Sequence, residues 1–349
     1  MNKKAKILSV LILPLFLLTL IGGCSKKEDS KKDNTLSKTE LVMGTVVKVS
    51  IYDNNDEKIM NEVFKRIREI EDLVSINKTE TELDEINNNA GIKPVKVSDE
   101  SFEIIEKALD YSKKSKGGYD LTIGPLVKLW SIGLPEAKVP SDNEIKEAVE
   151  KIDYNKVKLN KESKEVYLEE KGMKLDLGSI AKGYTADEVV KILKSKKVNK
   201  AIIDLGGNIY ALGEKEENKP WKIGVQNPFE DRGDVVGTID IKDKSVVTSG
   251  IYERYIEQDG KKYHHILNPK TGYPYESEIA GVTLITDKSI DGDALSTLIF
   301  TKGIEEGLEF LKELKDVEAI FISKEKKVYL TEGIKDNFKI INTDFVLAN

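Results

Sequence analysis

The residues with the means to do chemistry in this 349-residue chain are a carboxylate and hydroxyl pair, a glycine-bounded turn with a lysine in it, and two adjacent histidines. Asp293 and Thr297 lie four apart on a predicted helix, which puts a carboxylate and a hydroxyl on one face. Both are hard oxygen donors of the kind that suit Mg²⁺, an ion that takes few protein ligands and completes its shell with phosphate and water oxygens. Asp293 alone also fits a helix-start residue. Gly178-Ser-Ile-Ala-Lys-Gly183 has the glycine spacing of a phosphate-binding loop, but Tyr184 stands where that motif requires its lysine. What remains is a strand predicted over Lys174 to Leu177, then a helix whose free amides could face an anion, with Lys182 in its first turn. An ordinary strand-to-helix turn reads the same way. Asp204-Leu-Gly-Gly-Asn208 is a second turn of this type. In His264-His265 the alternation of a strand sends one ring inward and one outward, so joint metal ligation is not expected. Histidine is nevertheless the only side chain here whose unperturbed pKa lies near neutrality.

These residues need elements to hold them. Val42, Val46, Val49 and Ile51 predict a first strand in a globular part beginning at Leu41. Ile59, Val63, Ile67, Ile70 and Val74 recur at helical spacing, and a second helix around Ser101 to Ser115 presents Phe102, Ile105 and Leu109 on one side. Ser141 and Glu144 have capping-box spacing. From Val157 to Ile285 the chain reads as short strands between Asn, Gly and Pro residues, including a hairpin through Asp259-Gly260, with one helix after Ser179. Helices at Ala294 to Phe300 and Ile304 to Leu314 and two strands close the sequence. The order is no regular βαβ alternation, so the expected fold class is α+β: a mixed, largely antiparallel sheet or barrel-like core flanked by helices.

Composition narrows the function. With 61 acidic against 55 basic residues the formal charge is -6, which argues against a nucleic-acid binder. One cysteine excludes an intramolecular disulfide. That residue, Cys24, follows Lys3, Lys4 and Lys6, an apolar run from Ile7 to Ile21, and Ile21-Gly22-Gly23, an order that resembles a bacterial lipoprotein signal. The resemblance implies a signal peptide over 1–23, lipid on Cys24, a polar tether over 24–40, and a domain over 41–349 with room for two subdomains. The expected location is the extracytoplasmic face of the cell membrane, held by the lipid.

Together the segments resemble the FAD:protein FMN transferases of the ApbE type. They run in order: Met43-Gly44-Thr45 in the first strand; Gly118-Tyr119-Asp120-Leu-Thr-Ile-Gly-Pro-Leu126; Leu175-Asp-Leu-Gly-Ser-Ile-Ala-Lys-Gly-Tyr184 with Ala186-Asp187; Asp204-Leu-Gly-Gly207; Ser249-Gly250; His265-Ile-Leu-Asn-Pro-Lys-Thr-Gly272; and Asp293-Ala-Leu-Ser-Thr297. The resemblance implies a Mg²⁺ site made by the carbonyl of Ala181 and the side chains of Asp293 and Thr297, with FAD, the substrate, lying across it. Met43, Asn77, Tyr119, Asp120, Gly178, Lys182, Tyr184, His265, Leu267 and Ser296 are expected to line the FAD cleft. The implied reaction transfers the FMN half of FAD to a threonine of an acceptor protein in a membrane redox complex and releases AMP. His265 is the candidate for taking the threonine proton, and Asp293 is the essential carboxylate. Many relatives carry an aromatic residue where this chain has Asn77. That departure favours water as a competing acceptor, giving FAD hydrolysis to FMN and AMP; a non-catalytic flavin-binding lipoprotein is the other alternative.

Overall fold

The computed structural model describes residues 35–349, so the signal segment, Cys24 and most of the expected tether lie outside the described residues. In chain order the strands are β1 (Leu36–Val42), β2 (Thr45–Ile51), β3 (Val95–Lys96), β4 (Val157–Asn160), β5 (Glu165–Leu168), β6 (Ala201–Leu205), β7 (Asn208–Leu212), β8 (Trp221–Gln226), β9 (Val235–Ile241), β10 (Lys244–Gly250), β11 (Tyr255–Gln258), β12 (Lys261–His264), β13 (Ile279–Thr286), β14 (Glu318–Ser323), β15 (Lys327–Leu330), β16 (Phe338–Ile340) and β17 (Val346–Leu347). The helices are α1 (Glu57–Val74), α2 (Glu82–Asn88), α3 (Asp99–Lys114), α4 (Gly124–Trp130), α5 (Asp142–Val149), α6 (Ala181–Ser195) and α7 (Ser289–Lys312). Among the described residues no helix is long and apolar enough to cross a membrane.

The fold is α+β. A nine-stranded sheet runs β1-β2-β6-β7-β10-β13-β14-β15-β17, antiparallel throughout except for the final β15–β17 pair. It ends openly at β1 and β17, so the barrel-like alternative is not realised. Strand β13 is buried at every position, because both faces of the sheet are covered there. Val282 and Leu284 pack in the core that includes α3 and α7, while Ile285 packs with Trp221, Val225, Ile239 and Phe338 of the β8-β9-β16 sheet. The predicted stripe of α1 packs as expected: Ile59, Val63 and Ile67 meet Val47, Val49 and Ile203 with Val189 and Leu193 of α6.

Three expectations need correction. The folded part begins at Leu36, not Leu41, and Met43-Gly44 is a turn rather than strand. Val42 pairs with Thr45, and Met43 (φ 55) and Gly44 (φ 65) are both left-handed, the geometry of a type I′ hairpin. The polar residues of β1 read as tether because an edge strand buries little. Lys174 to Leu177 is extended but makes only one bridge, Lys174 with Ile123, so it is not a ladder strand. The two C-terminal helices form one element from Ser289 with a break at Gly303 (φ 79, ψ -177). Asp293 therefore lies inside the helix. The start is held instead by Asp187, whose two carboxylate oxygens accept from the N–H groups of Ser289 at 2.9 Å and Ile290 at 3.1 Å.

Candidate active site

Sheet register brings the glycine turns together. Val47 of β2 pairs with Leu205, Leu205 with Asn208, and Asn208 with Val247 of β10, so Met43-Gly44, Gly206-Gly207 and Ser249-Gly250 all close the same end of the sheet. Helices α6 and α7 meet beneath that end. Gly183 makes the contact possible: a Cβ there would stand 2.3 Å from the Ser289 carbonyl oxygen. The side chain between the helices is Asp293, only 4% exposed. Its Oδ2 accepts from the Gly183 N–H at 2.9 Å and its Oδ1 lies 3.3 Å from the Lys182 ammonium. An anion at the start of α6 is the favourable placement for the helix dipole.

This revises the reading of the 178–183 turn. Its amides are already spent, with Gly178 donating to Asp176 Oδ1 at 2.9 Å, Ile180 and Ala181 to the Leu177 carbonyl, and Gly183 to Asp293. The positive group left for a phosphate is Lys182, whose Nζ otherwise rests 3.1 Å from the Gly178 carbonyl. Thr297 is half-buried one turn beyond Asp293. Ser296 ties this turn to the sheet, donating to the Asp293 carbonyl at 2.8 Å while paired with Ser249 at 2.8 Å.

The histidines divide as the alternation predicts. His264 is buried against Phe300, with Nε2 3.0 Å from the Tyr275 carbonyl. His265 is half-buried beside Arg254, and burial, aided by the Arg254 charge, pushes its pKa down to about 3. The imidazole is thus neutral at physiological pH. Lys182 acts on His265, Asp176 and Glu253; Arg254 acts on the same three, and Lys128 on Asp176. Burial raises the Asp176 and Glu253 carboxyls, and these cations oppose it. Lys128, Asp176, Glu253 and Arg254 were not identified from sequence as site residues. Asp176 stood inside a quoted motif; the other three carry no spacing signal.

The remaining expected residues divide. Met43 faces the site end, its N–H on Glu71 Oε1 at 2.6 Å and its sulfur 3.4 Å from the Thr185 hydroxyl. Tyr119 is buried, with its hydroxyl accepting from Ser179 at 3.1 Å in the turn before α6. Asn77 is exposed and accepts from Lys128 Nζ at 3.1 Å, at the edge of the same charge cluster. Asp120 does not fit a ligand role: its oxygens take the Thr122 N–H at 2.8 Å, the Thr122 hydroxyl at 2.7 Å and the Tyr154 N–H at 3.2 Å. Tyr184 is a core residue whose charged neighbours are Glu188, Glu100, Glu103 and Arg66. Leu267 packs with Leu126, Trp130 and Ile145.

The donor set was tested for a cation. Among the described residues no group of three or more His, Cys, Asp or Glu gathers to hold a metal. A hard ion would rely on the single buried carboxylate of Asp293, the Thr297 hydroxyl and the Ala181 carbonyl, which already accepts from the Thr185 hydroxyl at 2.8 Å. That is an all-oxygen, low-charge set, as Mg²⁺ takes when substrate oxygens complete its shell.

The sequence pattern of the ApbE family matches residues 43–321. The chain belongs to the ApbE family. It is 40% identical over 309 residues to a FAD:protein FMN transferase of Klebsiella pneumoniae, covering 88% of this chain and 96% of that one. It is 35% identical over 348 residues to a FAD:protein FMN transferase of Treponema pallidum, covering 95% of each. Among solved structures, the ApbE protein of Thermotoga maritima superposes with a TM-score of 0.79 at 31% identity, over 87% of this chain and 99% of that one. The ApbE flavinyl transferase of Pseudomonas stutzeri, apo form, gives 0.76 at 27% identity over 89% and 98%.

Proposed function

We propose that this ApbE-family chain is a FAD:protein FMN transferase that moves FMN from FAD to a threonine hydroxyl of an acceptor protein and releases AMP. The observation that carries the reading is the Asp293–Lys182 pair: a buried carboxylate and a free ammonium side by side at the start of α6, with Thr297 one turn on and a neutral histidine in the same charge cluster. Family membership selects flavin transfer among the phosphoryl chemistries this arrangement would serve.

Asp293, Thr297 and the Ala181 carbonyl would hold Mg²⁺. When bound, the ion would neutralise charge building on the pyrophosphate oxygens. Lys182 supplies a mobile cation for a phosphate oxygen, since its rest position uses only a carbonyl and a shared carboxylate. His265 takes the proton from the threonine hydroxyl; its oxygen bonds to the FMN phosphorus, and the bond from that phosphorus to the bridging oxygen breaks as AMP leaves. A base kept neutral by burial and by Arg254 is available at any physiological pH.

Exposed Asn77 supports a second reaction of the same site, FAD hydrolysis with water in place of threonine. The acceptor belongs to a membrane redox complex on this reading, and lipid on Cys24 holds the enzyme at the extracytoplasmic face. Incubation with FAD, Mg²⁺ and a threonine-bearing acceptor, followed by acceptor mass and AMP, tests transfer against hydrolysis.

A further inference from the structure

Arg254 opens the hairpin β11–β12 and joins three segments that are distant in sequence. Its stem passes over Gly133 (φ +90), where a Cβ would stand 2.9 Å from Arg254 Cδ. Its Nη2 donates to the Gly44 carbonyl at 3.0 Å, tying down the Met43-Gly44 turn. Its own carbonyl accepts from the His265 N–H at 3.1 Å and lies 3.3 Å from the His265 ring Nδ1. A carbonyl only accepts, so that ring contact is a hydrogen bond when His265 carries its hydrogen on Nδ1, which leaves the Nε2 lone pair free. His264 is arranged the other way. Its Nδ1 lies 3.3 Å from the Ile266 N–H, a donor, and its Nε2 lies 3.0 Å from the Tyr275 carbonyl, an acceptor. Two adjacent imidazoles therefore face opposite hydrogen-bonding environments and require opposite tautomers.

We propose that Arg254 is a positioning residue for His265: the guanidinium, seated on Gly133 and bonded to Gly44, fixes the Arg254 carbonyl, and that carbonyl holds His265 as the Nδ1–H tautomer with Nε2 presented as the proton acceptor. The tautomer half stands on geometry alone. The catalytic half rests on the FMN-transfer reading, in which His265 is the base.

The chain contains two histidines, so ¹⁵N-histidine labelling of the full protein gives only these two rings. At neutral pH the wild type gives one ring protonated at Nδ1 and one at Nε2. In Arg254→Met, which keeps the stem and removes the donor, the His265 signals move toward a mixture of tautomers while those of His264 stay, which also checks that the fold survives. The kcat for AMP release falls about tenfold, within the range that a general base contributes. KM for FAD changes less than about threefold, the pattern of a lost interaction made in the transition state. Arg254→Lys, which keeps a donor for the Gly44 carbonyl, recovers part of both effects. His265 protonated at Nε2 in the wild type, or unmoved in Arg254→Met, overturns the proposal. A tautomer shift with unchanged kcat overturns the catalytic half. Wild-type protein releasing no AMP under any condition fails the FMN-transfer reading instead, with the spectra still deciding the role of Arg254.

Discussion

Replacing Asp293 with asparagine keeps the shape of the buried side chain and removes its charge. The amide oxygen can still accept from the Gly183 N–H, which now lies 2.9 Å from Oδ2. The amide nitrogen then faces the Lys182 ammonium where Oδ1 stood, 3.3 Å away, donor against donor. A hydrogen bond to a charged group contributes about 1.5–3 kcal/mol. The Lys182 side chain is 26% exposed and has the Gly178 carbonyl at 3.1 Å as a second partner, so the folded state recovers part of that. The expected stability loss is about 1–2 kcal/mol, a fall of a few degrees in Tm for a domain of this size. Activity should fall much further. If the carboxylate anchors a cation whose effect on the transition state is several kcal/mol, its loss slows AMP release by about a hundredfold or more, at roughly 1.4 kcal/mol per factor of ten. The assay pairs a thermal melt with AMP release from FAD across a Mg²⁺ titration. An Asp293→Asn protein that melts a few degrees low but releases AMP within about threefold of wild type at limiting Mg²⁺ would refute the assignment of this carboxylate to the metal.

Other outcomes follow from the same structure. The ordinary His265 pKa of 6.5 is lowered to about 3 in the fold, so below pH 6.5 the unfolded chain binds a proton that the folded chain refuses; this contribution to stability is present above pH 6.5 and is lost progressively toward pH 3. Urea midpoints between pH 7.5 and 4.5 should fall, less steeply in His265→Gln. Asn77→Tyr should tighten FAD about twofold to tenfold by ring stacking and slow acceptor-free hydrolysis, read by flavin fluorescence and AMP release; unchanged values for both would separate position 77 from the flavin. Cys24→Ser should abolish lipid on the mature N-terminus, as read by mass.

Local rules carried the reading far where they were also global ones. The α1 stripe, the Ser141/Glu144 capping box and the Asp259-Gly260 hairpin all form as their spacing predicts. Asp293 and Thr297 were legible because a helix fixes what lies four residues away. Met43-Gly44 was misread as strand because Met tolerates φ 55 only when the hairpin demands it, and nothing in a methionine announces that. Asp120 looked available because a carboxylate in a Gly-rich segment gives no sign that a turn and the Tyr154 amide will consume it. Arg254 was invisible for a different reason. Its partner Gly44 lies 210 residues away, and no local pattern encodes a hydrogen bond over that span. The cluster of Lys128, Asp176, Lys182, Glu253 and His265 likewise exists only once sheet register and the α6–α7 contact bring its members together.

The most direct measurement of the central claim is the intact mass of a threonine-bearing acceptor protein after incubation with this chain, FAD and Mg²⁺, with AMP quantified in the same sample. FMN transfer predicts an acceptor heavier by FMN less one water, the added mass mapping to a threonine, and one AMP released per acceptor modified in excess of the acceptor-free rate. An acceptor of unchanged mass alongside steady AMP release would make the chain a hydrolase of FAD, and an unchanged acceptor with no AMP would contradict the enzyme reading itself.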